Sequence, residues 1–189
     1  MVLRRDTTLL FFKHMRTHRP ACGFTLIELI IVVAIVGILA SISMGIYLHA
    51  RVQGNEASAI GTLVAVNQGQ LAFAQACGNQ RYAATLVALG TPMPTTGSAF
   101  LSPDMAADPL IKTGYQFAMG GTPLNLEYKS CTGEPLLEHY FVTADPLEPG
   151  ISGVRFFGTN VDRIVFADGA SFAGNMPETG PPTHGAESK

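Results

Sequence analysis

One carboxylic acid stands inside the most apolar stretch of this 189-residue chain. Between Phe24 and Tyr47, the one ionisable side chain is that of Glu28. A charged group in the hydrocarbon part of a membrane costs on the order of a few kcal/mol, so such a residue is a functional candidate by default. Two other readings remain. In the first, Glu28 lies at the membrane surface, because it is one turn from the start of the run. In the second, the run is the apolar region of an ordinary secretory signal.

The charges around the apolar run are divided unevenly. Five of the twelve Lys and Arg residues and one of the fourteen acids precede Phe24, which leaves a formal charge of −6 from Phe24 onward. A basic segment before an apolar span stays in the cytoplasm and sends the remainder across the membrane. The acidic remainder argues against nucleic acid as a partner, because phosphate contacts need clustered Lys and Arg.

The length of the run separates it from an ordinary secretory signal. Such a signal has an apolar region of ~7–15 residues that ends at a small-residue cleavage site. Here the apolar run covers residues 24–48, although residues 40–43 would pass as a weak site of that kind. A helix of this length, at ~1.5 Å per residue, spans a hydrocarbon core of ~30 Å.

The helical pattern continues beyond the run as an amphipathic segment, residues 49–77. Gly78 is a natural terminator for this helix. The predicted apolar stripe is a set of residues three or four positions apart, Ile60, Val64, Asn67, Leu71 and Ala74. Polar residues predicted to lie largely on the other side include Arg51, Gln53, Asn55, Glu56, Gln68 and Gln70.

The rest of the chain, residues 78–173, reads as a head domain with a proline-rich loop followed by short strands. A short helix is predicted within Tyr82–Leu89. The predicted strands are Tyr115–Met119, Leu124–Ser130, His139–Ala144, Val154–Phe157 and Asp162–Ala167. Gly120-Gly121 is read as a turn, and residues 174–189 as a flexible tail. The fold class is therefore α+β, with a long N-terminal helix packed on a small antiparallel sheet.

The stretch Gly23-Phe24-Thr25-Leu26-Ile27-Glu28-Leu29 resembles the processing and methylation site of type IV pilins and type II secretion pseudopilins. The resemblance implies a pilin-like fold and removal of the basic leader, residues 1–23. A prepilin peptidase would cut between Gly23 and Phe24 and methylate the new Phe24 amine. Met1 and Met15 are both candidate starts of that leader.

The resemblance also implies where the chain acts and with what. It would be a single-pass protein of the bacterial inner membrane with its head in the periplasm, surrounded by lipid before assembly. Its partners would be an inner-membrane assembly platform and other copies or related subunits in a helical filament. The system stays open between a secretion pseudopilus and a surface pilus, and the subunit between a major one and a minor one whose head is a binding or adhesion module.

Glu28 has a chemical role in such a filament. Cleavage creates a cationic amine on Phe24, one helical turn from Glu28 and within i, i+4 reach. In a filament the carboxylate can instead meet the amine of a neighbouring subunit. An ion pair in a low-dielectric core depends strongly on distance, so it penalises a wrong axial register more than it adds net stability.

The cysteines predict a disulfide in the exported chain. Cys22 would leave with the leader, and Cys77 and Cys131 remain as an even pair. Exported domains commonly pair such cysteines. The alternative is two buried free thiols.

No enzyme and no cofactor are expected from the remaining residues. Serine, histidine and aspartate occur without a nucleophile setting such as Gly-x-Ser-x-Gly. Asp104 and Asp108 are weak candidates for binding Ca²⁺, which takes carboxylate and carbonyl oxygens in loops and is required by some pseudopilins. Their alternative reading is a solvated Asp-Pro turn, because they lack a dense ligand pattern.

Overall fold

The computed structural model describes residues 23–125 and 127–188, apart from the side chains of residues 42–44. The leader before Gly23, with its candidate starts and Cys22, lies outside the described residues. The chain divides into two compact units, one ending at Ile42 and the other beginning at Ser43. Helix α1, Leu26–Ala76, contributes to both units and ends one residue before the predicted Cys77.

In the first unit, α1 presents apolar side chains to its surroundings. The large apolar residues from Leu26 to Leu39 are between 49% and 75% exposed. Within the described residues, no single helix satisfies the length and apolarity of a membrane span. Two parts of α1, Leu26–Ser41 and Gly45–Ala76, satisfy them when taken together, by length and composition.

The second unit holds an antiparallel sheet, which confirms the α+β fold class. The elements after α1 are β1 (Tyr82–Ala83), α2 (Leu86–Gly90), a 3-10 turn (Pro103–Met105), β2 (Leu110–Lys112), β3 (Tyr115–Pro123), β4 (Leu136–Pro146), β5 (Phe156–Asn160), β6 (Val165–Asp168) and β7 (Ala186–Glu187). The sheet runs in the order β2-β3-β4-β5-β6-β7, and β1 pairs with β4.

The main core lies between α1 and one face of the sheet. The helix contributes residues that are fully buried: Ala59, Leu63, Val66 and Phe73. The strands contribute aromatic and β-branched residues that are at most 1% exposed: Tyr115, Phe117, Tyr140, Val142 and Phe157. A buried side chain of this kind contributes about 1.5–3 kcal/mol, so this layer dominates the stability of the unit.

A buried polar network fastens α1 to the middle of the sheet. The Asn67 amide donates to Thr159 Oγ1 at 2.8 Å, and the Tyr140 hydroxyl donates to Asn67 Oδ1 at 3.0 Å. Thr159 Oγ1 in turn donates to the carbonyl of Ile164 at 2.9 Å. Because each of these buried polar groups has a hydrogen-bond partner, burying them carries no large free-energy cost. The network favours one position of the helix along the sheet.

The predicted apolar stripe on α1 is wrong by about one residue. Asn67 and Ala74 are buried as predicted, whereas Val64 and Leu71 are 39% and 38% exposed. Glu56 and Gln70, predicted to lie on the other side, are 6% and 0% exposed. The buried face therefore includes polar residues whose side chains find hydrogen-bond partners in distant segments.

Two predictions in the sheet are also wrong. The segment predicted as strand Leu124–Ser130 forms no strand, although Lys129 makes an isolated bridge with Pro135; Leu126 lies outside the described residues. Gly120 and Gly121 form no turn, since they lie inside β3. A Cβ atom on Gly121 would collide with the carbonyl oxygen of His139, so this glycine allows β4 to approach.

The predicted flexible tail is packed against the sheet as far as it is described. Strand β7 pairs with β6, and the Asn160 amide donates to the carbonyls of Pro177 and Gly180 at 3.0 and 2.8 Å. Phe172 and Met176 are buried with Phe166, Phe141 and Phe156. Phe141 lies between two residues of the main core, so it points to the opposite face. The described part of the tail covers this second, apolar face.

Candidate processing and assembly site

The residues predicted to be cut lie in front of α1. Gly23, Phe24 and Thr25 have no helical or strand assignment, and the helix begins at Leu26. Phe24 is 80% exposed. A peptide bond outside the helix keeps its carbonyl free of intrahelical hydrogen bonds, which suits a bond that a peptidase must engage.

Thr25 sets where the helix begins. Its hydroxyl oxygen accepts from the backbone N–H of Glu28 at 3.3 Å, and its carbonyl accepts from the N–H of Leu29 at 3.3 Å. These are the bonds of an N-cap residue, which satisfies otherwise unpaired N–H groups. The sequence reasoning missed this role. A threonine three residues before a glutamate, in front of an apolar run, is the sequence signal of a capping box, and it predicts a helix that begins after Thr25.

Glu28 lies in the first turn of α1 and is exposed. An acid in this position interacts favourably with the partial positive charge of a helix N-terminus. The same field disfavours a cationic amine at that end, so an amine on Phe24 would gain from a carboxylate close by. The described residues thus bring Gly23, Phe24 and Glu28 together at one exposed helix end.

The second predicted site lies at the other end of α1. A disulfide joins Cys77, directly after the helix, to Cys131, with a Cα–Cα distance of 4.9 Å. The backbone N–H of Cys131 also donates to the carbonyl of Cys77 at 3.0 Å. The bond ties the helix end to the segment that leads into β4.

The two weak metal candidates occupy different settings. Asp104 lies in the 3-10 turn, where Oδ2 accepts from Lys112 Nζ at 2.6 Å. That hydrogen bond lowers the pKa of the exposed Asp104 carboxyl. Asp108 precedes Pro109 through a cis peptide bond. Within the described residues, no group of three or more His, Cys, Asp or Glu side chains is arranged to hold a metal ion.

A cavity of about 310 Å³ lies near the disulfide. Basic, aromatic and apolar residues line it: Gly78, Asn79, Arg81, Leu124, Tyr128, Lys129 and Leu136. Arg81 also forms an ion pair with Glu138 at 3.5 Å, and both side chains are substantially exposed. Two of the chain's few cationic residues therefore border one opening in an otherwise acidic head.

Comparison with known proteins finds a family match around the start of α1. Residues 18–44 match the family described as the prokaryotic N-terminal methylation motif. The match contains Gly23, Phe24, Thr25 and Glu28, and it ends within the apolar part of α1. Neither a curated protein nor a solved structure matches the chain significantly.

Proposed function

Because residues 18–44 carry the signature of type IV pilins and pseudopilins, we propose that this pilin-type chain is a structural filament subunit. It is cut between Gly23 and Phe24, methylated on the Phe24 amine by the prepilin peptidase, and held in the inner membrane with its head in the periplasm. An assembly platform then adds it, through α1, to a pilus-like or secretion pseudopilus filament.

The observation that carries this proposal is the surface of the first unit. Large apolar side chains from Leu26 to Leu39 are about half exposed or more, and the one ionisable side chain among them is Glu28. Such a surface is covered either by lipid or by the helices of other subunits. In the filament, Glu28 pairs with the Phe24 amine of a neighbour, which fixes axial register because an unpaired charge in a dry core is costly.

The test separates processing from assembly. Glu28→Ala removes the carboxylate but leaves the Gly23-Phe24 bond and the Thr25 cap in place. We expect mature chain at normal levels and strongly reduced filament in a shearing assay. Glu28→Gln is the matched variant, because it keeps the shape and hydrogen bonding of the side chain without the charge. We expect it to form little more filament than Glu28→Ala.

Two results would contradict the assembly role proposed for Glu28. Filament at wild-type levels from Glu28→Ala would remove the ion pair from the mechanism. Accumulation of precursor in immunoblots would show that Glu28 acts in processing.

A second candidate function is a minor pilin whose head binds a ligand. The cavity bordered by Arg81, Tyr128 and Lys129 favours it, because its volume of about 310 Å³ lies in the range of small-ligand sites. Subunit counting in sheared filaments distinguishes the two functions. A structural subunit is abundant along the fibre, whereas a minor one is scarce or confined to its end.

A further inference from the structure

An apolar surface lies where the head meets the end of the predicted membrane span. We call it the foot patch and define it by Leu48 and Val52 of α1 and by Ile151 and Val154 of the loop before β5. These four residues line one groove of about 430 Å³. Leu48, Ile151 and Val154 are 50%, 61% and 59% exposed, which is unusual for large apolar side chains of one small region.

The loop side of the foot patch is held firmly against α1. The Glu56 carboxylate accepts from the backbone N–H groups of Val154 and Arg155 at 2.9 and 3.1 Å, and from Arg155 Nε at 2.7 Å. The Asn55 amide donates to the carbonyl of Ser152 at 2.8 Å. The exposure of Ile151 and Val154 is therefore imposed by these bonds.

The place of the foot patch along the chain indicates what covers it. The apolar run, residues 24–48, is about 37 Å long as a helix, slightly more than a hydrocarbon core of ~30 Å. Leu48 is the last residue of the run, and its neighbour Tyr47, 63% exposed, is of the type enriched at membrane–water interfaces. Since Ile151 and Val154 line the same groove as Leu48, they lie beside the end of the predicted span.

The charges beside the foot patch show which part of a membrane it fits. Arg51 and Glu148 border one adjacent groove, Glu56 and Arg155 border another, and His49 lines the foot-patch groove itself. The two arginines and the two glutamates offset each other, so they give this region little net charge. Attraction to anionic headgroups is therefore weak, and apolar burial at the boundary between headgroups and acyl chains remains as the driving force.

We propose that the foot patch rests in the interfacial layer of the bilayer while the subunit waits in the membrane. The inference rests on the proposed function, because it requires a chain anchored by residues 24–48. The patch holds the head down on the membrane surface. On entry into a filament the patch leaves the lipid, so extraction must overcome its apolar burial in addition to that of the span.

The absence of tryptophan from the sequence makes a direct test available. Ile151→Trp and Val154→Trp each place one indole in the foot patch. Tyr128→Trp is the matched control, because Tyr128 is 59% exposed and borders the cavity near Cys77, at the opposite end of the helix portion in this unit. The mature chain is reconstituted into vesicles whose acyl chains carry bromine, and its fluorescence is compared with that in unbrominated vesicles.

We expect about twofold or greater quenching for both foot-patch indoles and almost none for the control, because only the former reach the acyl-chain boundary. Replacing a neutral lipid by an anionic one should leave the quenching unchanged.

The outcomes separate the inference from the function on which it rests. If the chain does not float with the vesicles, it is not anchored and the proposed function fails as well. If it floats and the foot-patch indoles are not quenched, the inference alone is overturned. Quenching that requires anionic lipid overturns the apolar mechanism. Ile151→Cys cross-linking to a second copy in vesicles, without quenching, assigns the patch to a subunit interface instead.

Discussion

Glu56 offers the sharpest test of how the head is built. Its carboxylate, on a residue only 6% exposed, accepts three hydrogen bonds, two from the backbone of Val154 and Arg155 and one from the Arg155 side chain. Hydrogen bonds to a charged group contribute about 1.5–3 kcal/mol. Glu56→Ala should therefore lower the free energy of unfolding by about 3 kcal/mol.

Glu56→Gln is the informative partner variant. Its amide oxygen can keep the two backbone bonds, but its NH₂ group faces Arg155 Nε, which is also a donor. We expect a loss of about 1.5 kcal/mol from this side. Glu148→Gln is the control, because Glu148 is exposed and such surface substitutions are usually within about 0.5 kcal/mol.

The pH dependence of these variants follows from the pKa of Glu56. Burial raises that pKa, but the hydrogen bonds from Val154 and Arg155 together lower it below its ordinary value. A lowered folded pKa contributes stability that is present above the unfolded pKa of about 4.3 and is lost as pH falls through the folded pKa. The gap between wild type and Glu56→Gln should therefore be full near pH 7 and should shrink below about pH 4.3.

The assay is thermal unfolding of the mature chain in detergent, followed by near-ultraviolet circular dichroism of its tyrosines. For a domain of this size, 1 kcal/mol corresponds to about 2–4 °C in Tm. Equal Tm values for Glu56→Ala and Glu148→Gln would refute the reasoning. A Glu56→Gln deficit that persists unchanged at pH 3 would show that the charge of Glu56 contributes nothing.

Two further predictions concern the head. The Cys77–Cys131 bond joins residues 54 positions apart, and the chain-entropy model gives such a bond a stabilisation of about 4 kcal/mol. Reduction should lower the free energy of unfolding by up to that amount. Two freely alkylated thiols in the exported chain would exclude the bond. The Gln70 side chain accepts from the N–H of Ala83 at 2.9 Å and donates to its carbonyl at 3.0 Å. In urea unfolding, Gln70→Leu should lower the free energy of unfolding by about 3 kcal/mol, because two buried backbone groups lose partners. Gln68→Leu, at an exposed position, should change it little.

The sequence predicts the part of the fold that depends on local pattern. The long apolar run, its continuation as a helix and the glycine at its end are local signals, and α1 ends at Ala76, two residues before Gly78. A Cβ atom on Gly78 would collide with the carbonyl oxygen of Arg81, which is why a glycine stands there. The start of α1 also has a local signal, the capping-box spacing of Thr25 and Glu28.

The parts that the sequence does not predict depend on distant partners. Glu56 and Gln70 are polar, so their pattern favours exposure, yet they are buried because residues 154–155 and 83 supply hydrogen bonds. The tail reads as mobile from its proline and glycine content. Its packing depends on the apolar second face of the sheet, which includes Phe141 and Phe156. Neither relation is visible within a short window of sequence.

The mass of the mature chain tests the central claim most directly. The match at residues 18–44 and the exposed, non-helical Gly23-Phe24 junction lead to one expected species. Intact-mass analysis of membrane or filament material should show a chain that begins at Phe24 and carries one additional methyl group, and replacing Gly23 by a bulky residue should leave only precursor. A mature chain that begins near Ser43, as an ordinary secretory signal would give, would contradict the account.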